Sequence, residues 1–97
     1  MRRCYNSGKI GGLFRYQYKR NFLHADMEIA RLGYEPVNPL HNGLGENCHY
    51  WLNMAADIAM LLTCRTIYMQ RNWQESHGAR IEHRIAKFLR IRTIYQQ

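Results

Sequence analysis

Apolar side chains recur at helical intervals in three stretches of this chain. Tyr18, Phe22, Ala25, Ile29 and Leu32 stand four, three, four and three residues apart, which predicts a helix over 15–32 with one buried stripe. Gly33 follows where helices commonly end on a left-handed residue. Residues 49–63 predict a second helix, with Met54, Ile58, Leu61 and Leu62 on one face. Residues 77–89 predict a third, with Ile81, Ile85, Phe88 and Leu89 facing inward. Between the helices lie apolar runs too short to be helical. Thr66-Ile67-Tyr68-Met69 and Arg92-Thr93-Ile94-Tyr95 predict strands, and Tyr34-Glu35-Pro36-Val37-Asn38 a brief extended segment closed by Pro39. Residues 2–6 predict a first short strand, poor by propensity because Arg2, Arg3 and Asn6 stand in it. Glycines mark two loops, at Gly8, Gly11 and Gly12 and at Gly43 and Gly45; residues 40–48 and 70–76 read as further loop.

Strands alternating with helices imply βαβ units and a parallel sheet. The expected fold is α/β: one flavodoxin-like, doubly wound domain over 1–97, with about four strands in order 2-1-3-4 and helices on both faces. The polar first strand predicts a weak core there. A chain of 97 residues buries roughly 60–65% of its unfolded surface. A deep site enclosed by one subunit is therefore not expected, and partner subunits could complete core or cleft. No apolar run approaches the ~18 residues of a membrane helix. Met1-Arg2-Arg3-Cys4-Tyr5-Asn6-Ser7 lacks the apolar region of a signal peptide. Cys4, Cys48 and Cys64 form no CxxC pair and read as reduced thiols, so a cytoplasmic location is expected.

Charge narrows the ligand class. Fourteen Lys and Arg against seven Asp and Glu give +7, spread along the chain rather than run together. Such a balance suits a nucleic acid or a smaller phosphorylated ligand. In doubly wound sheets ligands bind beyond the carboxyl ends of the strands, which selects the loops 7–14, 38–48 and 70–78. The first offers Ser7, Gly8, Lys9, Gly11 and Gly12, where bare backbone and a lysine could receive an anion, although it is neither GxGxxG nor a Walker motif. By itself it reads equally as a tight turn. On the third helix Glu82 borders the apolar stripe, with Ser76 as a plausible N-cap and Gly78 allowing a ligand to approach. On the second, Asp57 lies between Met54 and Leu61. Alone, each acid reads as solvated or paired with an arginine. Together they suggest glycosidic-bond chemistry, which uses two carboxylates. His24, His41, His49, His77 and His83 show no zinc-like spacing, so no metal is expected, and there is no GxSxG elbow. Trp51 and Trp73 could stack a base or simply pack.

Several stretches resemble a small bacterial and phage family related to the nucleoside 2-deoxyribosyltransferases and the deoxynucleoside 5′-monophosphate N-glycosidases. They are Tyr5-Asn6-Ser7-Gly8-Lys9-Ile10-Gly11-Gly12, Leu32-Gly33-Tyr34-Glu35-Pro36-Val37-Asn38-Pro39, Asp57-Ile58-Ala59-Met60-Leu61-Leu62-Thr63-Cys64, Ile67-Tyr68-Met69 with Trp73, and Ser76-His77-Gly78-Ala79-Arg80-Ile81-Glu82-His83 with Ala86. They span nearly the whole chain in the expected order. The resemblance implies that Glu82 is a nucleophile, that Asp57 helps protonate the departing base, and that Tyr5 stands near the nucleophile. It likens Ser76 to a serine that contacts a 5′-phosphate, and Gly8 and Lys9 to the loop that holds sugar or phosphate. The chain departs from the pattern at Cys64-Arg65, where the family usually has Cys-Asp. The implied activity is cleavage or transfer at the N-glycosidic bond of a deoxynucleoside or its 5′-monophosphate. No cofactor is implied, and the relatives are homodimers or larger homo-oligomers with sites near the interface. No membrane is expected as partner, and a nucleic acid is not the expected one. The alternatives are a nucleotide-binding module without catalysis and a basic nucleic-acid-associated protein.

Overall fold

The structure, a computed structural model, describes residues 2–41 and 50–97. Most of the predicted loop 40–48, with Gly43, Gly45 and Cys48, lies outside the described residues, as does His49. The elements are β1 (Arg3–Ser7), α1 (Arg15–Arg31), β2 (Glu35–Val37), α2 (Tyr50–Leu62), β3 (Thr66–Met69), α3 (His77–Phe88) and β4 (Arg92–Tyr95). Single 3-10 turns stand at Pro39–His41 and Trp73–Glu75.

All strand pairings are parallel, in the order β2-β1-β3-β4. Tyr5 pairs with Val37 on one side and Ile67 on the other, and Ser7 with Met69. This is the α/β, flavodoxin-like sheet expected from the alternation of elements. Side chains alternate across it. Cys4 and Tyr68 face α1, where they pack with Ala25 and Ile29. Tyr5, Ile67 and Met69 face the other way, against Leu61 and Cys64 at the end of α2 and Ala79 and Ala86 of α3. Helices therefore cover both faces. No described helix is long and apolar enough to cross a membrane.

Local chemistry sets the helix ends. Gly33 adopts φ +94°, with its N–H donating to Ala30 O and that of Tyr34 to Ile29 O. This is the two-bond C-terminal motif that glycine favours. At the end of α3 the same pair of bonds forms around Arg90, a non-glycine residue at φ 58°.

Two sequence expectations are corrected. Leu32 and Leu62 are about half exposed rather than buried: Leu32 caps α1 as its chain turns away, and Leu62 ends α2 on the solvent side. The larger correction concerns α3. Its buried face is Ala79, Glu82 and Ala86, whereas Phe88 and Leu89 are exposed and Ile81 and Ile85 only half-buried. Small residues let this helix sit close over β1 and β3, and the larger apolar side chains form an outer stripe about a quarter turn away.

The polar first strand also has an explanation. Asn6 is fully buried on the α1 face and donates to Phe22 O at 3.0 Å and to Asp26 Oδ1 at 2.8 Å. Its side-chain Oδ1 accepts from Gln70 Nε2 at 2.7 Å, and Asn38 Nδ2 donates to Asp26 Oδ2 at 2.9 Å. One polar network thus joins β1, α1, the end of β2 and the end of β3. Arg3 remains at the surface and donates to Thr63 Oγ1 just after α2.

Candidate active site

Alternation along β1 sends Tyr5 and Ser7 to the α2/α3 face, two residues apart, with Ser7 at the carboxyl end of the strand. Five residues beyond its start α3 delivers Glu82 to the same place. The helix begins at Ser76, whose Oγ accepts from the Ala79 N–H at 3.2 Å. That contact does not use the hydroxyl proton of Ser76.

At the meeting point Tyr5 Oη donates to Glu82 Oε2 at 2.6 Å and Ser7 Oγ donates to Glu82 Oε1 at 2.8 Å. All three side chains are buried, with Glu82 only 5% exposed. A carboxylate so deep in a small protein is costly unless hydrogen-bonded. Burial pushes the Glu82 carboxyl up from 4.5 to about 7, against the two donated hydrogen bonds, which hold it down, while the charge of Asp57 adds to the rise. Burial likewise raises the Tyr5 phenol well above its usual range, and the charges of Glu82 and Asp57 raise it further. Tyr5 therefore stays a donor. Asp57, half-buried on α2, is near enough for its charge to act on both groups. The resulting group is an acid poised near neutrality, gripped by two hydroxyl donors, with a second carboxylate beside it.

Of the residues read from the sequence, Tyr5, Ser7, Asp57 and Glu82 come together. Glu82 does not border the buried face of α3, as the periodicity suggested, but sits within it. Gly8 follows Ser7, and the place where its Cβ would stand is filled by the carboxamide of Gln70. Lys9 donates its backbone N–H to Asn72 Oδ1 at 3.1 Å, and its ammonium lies 3.9 Å from Glu75 Oε1. Gly11 is exposed with open space around it; the position in this turn that calls for glycine is Gly12, at φ +85°. Gly78 faces Met54 of α2, whose Cε would stand 3.0 Å from an added Cβ, so close helix packing accounts for its missing side chain.

Sequence reasoning missed Gln70, Asn72 and Glu75. Gln70 is 2% exposed, and its Oε1 has no hydrogen-bond partner. Their place in the loop 70–78, selected by the strand-end rule, was the available signal. Trp73 packs against the core and lies 4.2 Å from the ring of His83, which shares a hydrogen bond of 2.8 Å with Tyr95 Oη. The side chain of Trp51 lies outside what is described. Cys4 and Cys64 are buried thiols, pushed up by burial, Cys4 to about 12. Among the described residues no three His, Cys, Asp or Glu side chains are grouped so as to hold a metal ion.

No curated protein matches the chain. The model of a family described as Domain of unknown function (DUF4406) matches residues 2–95. The chain belongs to that family.

Proposed function

We propose that this DUF4406 protein cleaves or transfers at the N-glycosidic bond of a deoxynucleoside or its 5′-monophosphate, with Glu82 as nucleophile. The observation that carries this reading is the Tyr5–Glu82–Ser7 arrangement. A buried carboxylate held by two hydroxyl donors is oriented, shielded from water and half ionised near pH 7.

In the proposed reaction a Glu82 oxygen attacks C1′ as the bond to the base breaks, and that bond's electron pair leaves with the base nitrogen. Asp57 helps the base to leave by passing it a proton taken up from solvent. This forms a glycosyl ester on Glu82. Water, or a second base, then attacks C1′ from the opposite side; the ester bond breaks, Glu82 returns to a carboxylate and Asp57 recovers the proton. Two displacements retain configuration at C1′. Tyr5 and Ser7 orient the attacking oxygens and receive the carboxylate back in the second step.

The sugar-phosphate end is assigned to the adjacent loops. Lys9, with the backbone of Ser7 and Gly8, is proposed for one side and the hydroxyl of Ser76 for the other, whereas Gly78 packs on Met54 and is given no ligand role. Ser76 stands roughly 9 Å along the helix axis from Glu82, a span that a deoxyribose 5′-phosphate bridges. The net charge of +7 favours the phosphorylated substrate. For the homo-oligomer implied by the resemblance, the proposed surface is the outer stripe of half-buried Ile81 and Ile85 with exposed Phe88 and Leu89. Sedimentation of the protein and of Phe88→Glu checks this: a dimer that the substitution dissociates is expected, and a wild-type monomer contradicts it.

The test is chromatographic release of free base from a panel of deoxynucleosides and their 5′-monophosphates, with and without an acceptor base. Base release abolished in Glu82→Gln is expected. Folded wild-type protein that turns over none of the panel contradicts the reading and leaves a binding module in its place.

A further inference from the structure

We propose that Glu75 is a specificity-determining residue: a built-in anion that occupies the cation of Lys9 and must be displaced by the phosphate of a nucleotide. The inference rests on the site being one for a sugar phosphate. It is carried by how the two loops at the carboxyl ends of β1 and β3 are joined.

Lys9 does not extend into solvent. Its side chain is 24% exposed and folds back over Gly12, with Cε 3.7 Å from the position a Cβ would take there. Its backbone is held to the opposite loop by Asn72. The ammonium thus points toward the segment that leads into α3, and the acid it meets is Glu75, immediately before the N-cap Ser76. Glu75 stands where an incoming anion would stand: beside the one lysine of this loop and just ahead of the positive end of a helix. The pair is loose. At 3.9 Å it is an ion pair without a hydrogen bond, and the Glu75 side chain is 69% exposed. Exposed pairs of this kind are weak and readily exchanged.

Loose occupancy has a definite consequence for selectivity. Free inorganic phosphate brings only its own charge and competes poorly with a tethered carboxylate. A nucleotide brings contacts through its sugar and base as well, and so displaces Glu75. A neutral deoxynucleoside neither needs Lys9 nor meets Glu75. Glu75 therefore screens the site against free phosphate while admitting the nucleotide.

The test measures inorganic phosphate binding to the intact protein by NMR titration at low salt, for wild type, Glu75→Gln and Lys9→Gln. Base-release kinetics on a deoxynucleoside and its 5′-monophosphate run in parallel. Glu75→Gln is expected to bind phosphate about three- to tenfold more tightly, an advantage that shrinks at high salt. Its KM for the monophosphate should fall relative to its KM for the neutral nucleoside. Lys9→Gln should weaken phosphate binding. Unchanged phosphate affinity in Glu75→Gln overturns the proposal, even where base release is robust. Tighter phosphate binding without base release from any substrate supports the role of Glu75 and removes only the N-glycosidic reading.

Discussion

The phenolic O–H of Tyr5, in the middle of the first strand, donates to Oε2 of Glu82, 77 residues later, at 2.6 Å. The bond joins sheet to helix at the point where the candidate chemistry is placed. Its polarity matters: it stabilises the carboxylate against the burial that pushes Glu82 up to about 7.

Removing that donor should move the pH profile. Hydrogen bonds to charged groups contribute about 1.5–3 kcal/mol, equivalent to roughly one to two pH units at 1.36 kcal/mol each. In Tyr5→Phe the rise of kcat/KM with pH should shift upward by about that amount. Activity at pH 7 should fall about tenfold or more, with recovery at alkaline pH. A rate profile with an unmoved midpoint would show that Tyr5 does not hold the reacting carboxylate.

Stability should carry the opposite signature. Glu82 titrates near 4.5 when the chain is unfolded and near 7 when folded. Between these values the folded state binds more protons, so the stability this group contributes is fully present below about pH 4.5 and is lost as pH rises through about 7. Glu82→Gln has no such titration. Relative to wild type it should therefore gain stability from acid to neutral pH, by about 1–3 kcal/mol in denaturant melts. A difference between the two proteins that is constant over pH 4–8 contradicts the raised value.

A third prediction concerns Gly8. Its missing side chain leaves room for the carboxamide of Gln70, which is buried and tied to Asn6. Gly8→Ala should destabilise by about 1–3 kcal/mol through overpacking. Gln70→Ala removes the obstacle, so the double variant should be more stable than the sum of the two single effects, by about 1 kcal/mol. Strict additivity in urea melts would mean that Gly8 is required for another reason.

These relationships differ in how visible they are in the sequence. The helix over 15–31 and the strands over 66–69 and 92–95 follow from local spacing and propensity, which act within a few residues. The 2-1-3-4 order follows from the alternation of elements. The inward face of α3 did not follow. Apolar size favours Ile81, Ile85, Phe88 and Leu89, whereas the sheet selects Ala79 and Ala86 because only small residues allow the close approach that buries Glu82. Periodicity detects an apolar stripe but cannot say which neighbour it faces. The buried Asn6 was equally opaque, since its partners Asp26, Asn38 and Gln70 come from three separate segments. Glu82 and Asp57 were legible as a pair of acids beside apolar positions, and Tyr5 and Ser7 through the resemblance and the strand-end rule. The ties of Lys9 to Asn72 and Glu75 depend on two loops meeting, which no local pattern encodes.

The central claim is that Glu82 becomes covalently attached to the sugar. The most direct measurement is mass analysis of the intact protein, quenched in acid during turnover of the best substrate in the panel, followed by peptide mapping. The account predicts a population heavier by one deoxyribosyl or deoxyribosyl-phosphate unit, with the added mass on the peptide that contains Glu82 and absent from Glu82→Gln. Base release by a protein whose Glu82 peptide stays unmodified, with inverted configuration at C1′, would contradict it.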